Sequence, residues 1–274
     1  MTTVDSAETV SPARRHVGAL IKYFRTQAAL TQKELAERLL VSVSTESAYE
    51  CGDRIPTSSF LADADQLLDV GGALESCIPL MEEEKYPPTF VGWVRLEKKA
   101  AVINAYESMV FPGLLQTEEY TQALYESAVP RLPDDQIEKD VQGRVERQAI
   151  LRRVPVPNFG YVIEESVLTR AIGGRSVLRD QLLHVLALSR SMSNLMLQVM
   201  PTDRPRHAGL AGSMQLLSTL EGRNYAYADG QVAGRLITKP GEVAQCLDRF
   251  GMLRGQALNP WESADLIERT AGRL

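Results

Sequence analysis

The chain is poor in the side chains from which metal centres, disulfide frameworks and most acid–base sites are built. It has three cysteines and three histidines in 274 residues. Cys51, Cys77 and Cys246 are odd in number, widely spaced and contain no CxxC pair. That pattern excludes a disulfide framework and a zinc site, so neither a metal nor a cofactor is expected. His16 falls in a helical segment, His184 inside an amphipathic helix where a core-edge position is expected, and His207 in a loop where Asp203 could pair with it. Glu164 and Glu165 end a strand, and adjacent strand residues point to opposite faces, so they form no carboxylate dyad. No Walker loop is present, and Gly173-Gly174-Arg175 lacks the strand-loop-helix spacing of a phosphate cradle. Too few reactive groups converge for an enzyme, and no catalytic residue is expected.

Long apolar runs are also missing. No segment approaches the roughly 18 apolar residues of a membrane helix, and the first residues lack the apolar core of a signal peptide. These absences predict a cytoplasmic protein without membrane contact. There is no basic excess either: 30 Lys and Arg stand against 35 Asp and Glu, net charge -5, with a pI near 5.4. The whole molecule therefore has no general affinity for polyanions. The balance is uneven, because residues 11–60 hold seven basic and five acidic side chains, a net +2, which leaves -7 for the rest.

What is present in that basic stretch is a pair of short helices around a tight corner, residues 31–52. Thr31 is a good N-cap and Glu34 can return a hydrogen bond to the cap's own N–H, so a helix begins at Gln32. Leu35, Ala36 and Leu39 share its inner face, and Ala36 supplies the small side chain that a closely crossing helix demands. Ser42 caps a second helix that Gly52 ends. Upstream, Val17, Leu20, Ile21 and Phe24 repeat at helical spacing; downstream, Phe60, Leu61, Ala64, Leu67 and Leu68 follow a Pro56-Thr57-Ser58 start signal. Leu74, Ile78 and Met81 suggest one more amphipathic helix. Four or five short helices form one small all-α module that points to double-stranded DNA.

Arg14 to Met81 resembles the Cro/C1-type repressor family. Two positions depart from it: Leu40 stands where the corner usually carries Gly, and Glu46 where the second helix usually buries Ile or Val. An unpartnered carboxylate in a small core costs several kcal/mol or shifts its pKa upward. Glu46 is therefore expected to turn toward the rim, leaving Val41, Thr45, Ala48 and Tyr49 inward. Phosphate contacts are expected from Lys33, Arg38 and Arg54 with Gln32 at the helix start. Base contacts are expected from Ser42, Val43 against a thymine methyl, Ser44, Ser47, Ala48 and a rim-facing Glu46. Residues 42–50 contain no Lys or Arg, which favours the alternative of a degenerate module that serves as a protein-interaction adaptor.

The rest of the chain changes pattern. The first ten residues read as a frayed tail, and Tyr86-Pro87-Pro88 after Glu82-Glu83-Glu84 reads as a stiff boundary. The expected domains are 11–85 and 89–274. Beyond the boundary, helices are predicted over 93–99, from Thr117 as cap, over 134–152, 175–191, 241–258 and 260–271. Strands are predicted over 101–106, 159–163, 195–200, 214–220, 225–228 and 232–237, with Asp229-Gly230 as a hairpin turn. The fold class is thus multidomain: an all-α helix-turn-helix module followed by an α/β or α+β domain. Tyr106, Phe111, Tyr120, Tyr125 and Tyr161 offer aromatic surface for a pocket or interface. Glu164 is a candidate polar anchor beside Arg147, provided that strand and preceding helix pack together.

Phe111-Pro112-Gly113-Leu114-Leu115-Gln116-Thr117-Glu118-Glu119-Tyr120, Arg147-Gln148, Gly160-Tyr161-Val162-Ile163-Glu164-Glu165, Gln181-Leu182-Leu183 and Leu197-Gln198-Val199-Met200-Pro201 resemble the actinobacterial WhiJ-type regulators. So do His207-Ala208-Gly209 and Ala257-Leu258-Asn259-Pro260 with Ser263. The resemblance spans nearly the whole chain. It implies a transcriptional regulator, antitoxin-like in arrangement, often encoded beside a small partner protein. A homodimer is expected because two weakly basic modules on successive half-sites multiply specificity. The second domain is expected to dimerise, to bind the small neighbour-encoded protein or to sense a small-molecule effector.

Overall fold

The computed structural model describes residues 10–84, 88–230 and 234–274. Its contacts divide the chain into two compact units, residues 1–87 and 88–274. The expected tail, the Tyr86-Pro87 part of the boundary and the first two residues of the strand expected over 232–237 lie outside the described residues.

Among the described residues the first unit has five helices: α1 (Pro12–Gln27), α2 (Gln32–Arg38), α3 (Val43–Cys51), α4 (Ser58–Leu68) and α5 (Ile78–Glu83), with a 3-10 turn at Glu75–Cys77 before the last. Side-chain caps start the first four. Ser11, Thr31, Ser42 and Thr57 each accept a backbone N–H three residues on, and Thr31 with Glu34 closes the reciprocal capping box. Val17, Ile21, Leu35, Tyr49, Phe60, Leu61, Ala64, Leu74 and Met81 form the core. The crossing of α1 and α3 is tightest at Gly18, where a Cβ would meet the Tyr49 and Glu50 carbonyl oxygens at 2.5 Å. Only glycine allows that approach.

The corner between α2 and α3 is a Schellman turn: the Val41 N–H reaches the Ala36 carbonyl at 3.0 Å and the Leu40 N–H the Glu37 carbonyl at 3.4 Å. Its left-handed position is Leu40, with φ 55° and a side chain 93% exposed. The corner is built as glycine would build it, at the steric cost of a Cβ. After α4, the buried Asp65 carboxylate accepts the N–H groups of Gly72, Leu74 and Glu75 at 2.7, 2.7 and 3.1 Å. It thereby caps the turn that carries the chain into α5.

The second unit is an α+β domain around a six-stranded mixed sheet of order β3-β2-β1-β4-β5-β6. The strands are β1 (Ala100–Glu107), β2 (Asn158–Glu164), β3 (Leu195–Met200), β4 (Met214–Thr219), β5 (Asn224–Ala228) and β6 (Arg235–Ile237). β1, β2 and β3 are parallel, joined by helical crossovers; β1, β4, β5 and β6 pair antiparallel. The helices are α6 (Pro88–Glu97), α7 (Glu118–Glu126), α8 (Asp134–Arg147), α9 (Glu165–Thr169), α10 (Arg175–Ser191), α11 (Pro240–Gln256) and α12 (Pro260–Ala271). The helix expected over 134–152 ends at Arg147 and tightens into a 3-10 turn, Gln148–Arg152. One sheet face packs Ile103, Ala105, Phe159, Tyr161, Ile163 and Leu217 against α6, α7, α10 and α12. The other packs Tyr106, Val162, Met200 and Leu216 against Phe250 and Leu253 of α11.

Candidate nucleic-acid interface

The electrostatic centre of the first unit lies behind α3. Arg25 of α1 is buried and holds Glu50 of α3 through both guanidinium arms, at 2.5 and 3.0 Å, while its third nitrogen donates to the Leu30 carbonyl at 2.7 Å. Gln32, the first residue of α2, donates to the same Glu50 carboxylate at 2.8 Å. Burial opposes the Glu50 charge, yet the hydrogen bonds from Arg25 and Gln32 outweigh it and hold its pKa below the ordinary range. The Arg25 pKa is raised, chiefly by its hydrogen bonds to Glu50. These contacts tie α1, α2 and α3 into one rigid frame.

Glu46 corrects the expectation of a rim position. It is fully buried, 3.7 Å from the Arg25 Nε, and neither of its oxygens accepts a hydrogen bond. Helical phase is the reason. Glu46, Tyr49 and Glu50 occupy i, i+3 and i+4 and form the inward face of α3, whereas Val41, Thr45 and Ala48 are only half-buried. Burial, followed by the Glu50 carboxylate beside it, pushes the Glu46 pKa up to about 8 against the pull of Arg25. At neutral pH the side chain carries its proton and offers it toward Glu50. Glu46 is therefore absent from the reading surface.

On the outward side, Ser42, Val43 and Ser44 are exposed, while Ser47 and Ala48 are half-buried. The Ser42 hydroxyl caps α3 through the Thr45 N–H at 3.0 Å and lies 2.9 Å from the Ser44 hydroxyl. Lys33, Arg38 and Arg54 are exposed; Lys33 lies 3.9 Å from Glu37, one turn along α2. Gln32 is turned into the frame by Glu50 rather than left at the surface.

The second unit does not gather its five expected residues into one site: Phe111 meets Tyr120 and Tyr106 meets Glu164, while Arg147 pairs elsewhere. Tyr106, Phe111 and Tyr120 are buried, at 1%, 0% and 0% exposure, so they are core rather than surface. Phe111 and Tyr120 meet edge to face at 5.5 Å. Arg147 and Glu164 are not brought together. Arg147 holds Glu97 of α6 at 2.7 and 3.2 Å. Glu164 instead accepts the Tyr106 hydroxyl at 2.5 Å and lies 3.5 Å from the His207 Nε2. His207 thus faces Glu164 rather than Asp203, and its Nδ1 accepts the Gly209 N–H at 3.1 Å. Among the described residues, no group of three His, Cys, Asp or Glu could hold a metal ion, and no helix is long and apolar enough to cross a membrane.

Family comparison matches residues 16–76 to a helix-turn-helix domain and residues 91–269 to a domain of unknown function, DUF5753. No curated protein and no solved structure matches the chain. The first match agrees with the capped α2–corner–α3 geometry, and the second takes in more than half of the sequence. The chain is a member of the DUF5753 family that carries an amino-terminal DNA-binding helix-turn-helix module.

Proposed function

We propose that this protein is a cytoplasmic, sequence-specific transcriptional regulator of the WhiJ type, antitoxin-like in arrangement, that binds operator DNA as a homodimer. In this reading the second unit dimerises and binds a small neighbour-encoded protein. The observation that carries it is the α2–corner–α3 frame, which keeps Val43 and Ser44 outward with Lys33, Arg38 and Arg54 exposed in the same module. Ser44, Ser47 and Ala48 then select bases beside Val43, and the three cations contact phosphates. Ser42 serves chiefly as the α3 cap, and Gln32 chiefly as a brace on Glu50.

A second reading, a protein-interaction adaptor, is favoured by the absence of Lys and Arg from residues 42–50. Salt titration of duplex binding separates the two. A regulator contacting phosphate through Lys33, Arg38 and Arg54 loses affinity linearly in log salt, and Lys33→Ala or Arg38→Ala lowers affinity for all sequences alike and flattens the slope by about one per lost contact. Salt-independent binding, or none, favours the adaptor.

A further inference from the structure

The second unit contains a polar cluster that DNA binding and dimerisation leave unused. It starts from the segment 111–120, which three glutamine side chains pin in place. Gln181 accepts the Thr117 N–H and donates to the Leu115 carbonyl, both at 2.7 Å. Gln148 donates to the Gln116 carbonyl at 2.7 Å. Gln116, 1% exposed, donates to the Phe111 carbonyl at 2.6 Å, and its side-chain oxygen accepts from the Thr121 hydroxyl and from Nη1 of Arg144, at 3.1 and 2.8 Å.

This network fixes Arg144. Its guanidinium also stacks 4.8 Å over the Tyr125 ring, and among the described residues no carboxylate lies within ion-pair distance of it. Burial pushes its pKa down. Arg147, one turn along α8, is committed by contrast to Glu97 and lies 4.9 Å over Phe90. A positioned guanidinium that no carboxylate among the described residues holds is an anchor for an anion.

Glu107 links Arg144 to a further unsatisfied donor, since the charge of Arg144 acts on Glu107 and that of Glu107 acts on the Tyr161 hydroxyl. Tyr161, Ala105, Gln215 and Tyr227 form one row across the sheet in register, with the small Ala105 between larger side chains. The Tyr161 hydroxyl and the Trp93 Nε1 are buried without a hydrogen-bond partner, and the Trp93 ring lies 5.8 Å from that of Tyr227. Glu107 is two residues beyond Ala105 on the same face of β1 and is 9% exposed. Burial, then the charge of Asp229, raises its pKa to about 8 while Arg144 and Arg147 act against the rise. At neutral pH it is a neutral acid and can donate rather than repel an anion. Native folds rarely leave buried donors unpaired, and such donors call for an acceptor.

We propose that Arg144, with the Tyr161 hydroxyl, forms a binding site for a small organic acid with a planar apolar body. The carboxylate supplies only acceptors, which matches a cluster made of donors, and the aromatic side chains suit the body. The inference takes up the expectation that the second unit of a regulator senses a small-molecule effector, and binding is measurable without DNA.

The test titrates the full chain with benzoate, phenylacetate and indole-3-acetate, with benzamide and inorganic phosphate as comparators, by calorimetry. We expect saturable binding of at least one of the three acids and none of either comparator. Arg144→Gln should weaken it at least tenfold. Tyr161→Phe, which removes a hydroxyl without partners and keeps the ring, should weaken it about threefold or more without loss of thermal stability. Arg190→Gln, at an exposed ion pair with Glu268, should leave it unchanged. No saturable binding by any of the acids, equal binding of benzamide or phosphate, or affinity untouched by Arg144→Gln and Tyr161→Phe would overturn the proposal. Acid binding that leaves duplex affinity unchanged would support the site while counting against a signal-receiving role for the second unit.

Discussion

Replacing Glu46 by glutamine should abolish a pH dependence that the wild-type first unit carries near neutrality. The carboxyl is fully buried, and its pKa is raised to about 8 in the folded protein, against about 4.3 in an unfolded chain. Between those values the folded unit holds a proton that the unfolded chain has released. Stability from this group is therefore fully present below the unfolded pKa and is lost as pH rises through the folded one, at about 1.4 kcal/mol per pH unit. From pH 5.5 to 7.5 the loss is roughly 2–3 kcal/mol. For a unit of this size that lowers Tm by roughly 4–8 °C per kcal/mol. The substituted amide would donate to Glu50 without needing a titrating proton, so the E46Q variant should be flat over the same window. Calorimetry of the full chain, following the transition of the first unit, reads this directly. Equal slopes in wild type and variant would refute the assignment of a buried, protonated Glu46.

Three further outcomes follow from the same geometry. Glu50→Leu should cost about 3–5 kcal/mol, because it removes the carboxylate hydrogen-bonded to the buried Arg25 and leaves it only Glu46, 3.7 Å away and without a hydrogen bond, and denaturant unfolding measures it. Leu40→Gly should stabilise the first unit by about 0.5–1 kcal/mol, since relief of the left-handed strain at φ 55° exceeds the added entropy of the unfolded chain; a loss of stability would contradict the Schellman corner. Asp65→Ala should cost about 2–4 kcal/mol through three orphaned N–H groups. The backbone hydrogen bonds hold the Asp65 pKa down despite burial, so the wild-type contribution should persist above the unfolded carboxylate range and be lost as pH falls through the folded pKa. The alanine variant should lack that acid limb.

Local signals made much of this fold legible. Thr31 with Glu34, Ser42, Thr57 and Thr117 each mark a helix start through a contact three residues away, and the apolar runs of β1 to β5 are bounded by turn residues. What escaped was decided at long range. Glu46 is tolerated inside because Arg25 and Glu50 surround it, and Arg25 sits 21 positions earlier on another helix. Tyr106, Phe111 and Tyr120, expected to line a pocket or interface, are buried in the packing on the two faces of the sheet, which composition does not reveal. Arg147 and Glu164 each found a nearer partner, Glu97 and Tyr106, on elements whose packing no local period encodes. Arg144 carried one usable signal: a basic residue three positions before Arg147 on the same helix, with no acidic residue four positions on. α9 is a five-residue helix directly after β2, too short to show a period.

The central claim is that the first unit reads DNA with a surface nearly free of positive charge on α3. Enrichment of full-length protein on a pool of randomised duplexes at physiological salt tests it most directly. The account predicts two related half-sites with centres about one helical turn apart, and a change confined to part of each half-site when Ser44 becomes alanine, worth about 1–3 kcal/mol. A pool that emerges unselected, or a motif indifferent to substitutions at Val43, Ser44, Ser47 and Ala48 alike, would contradict it.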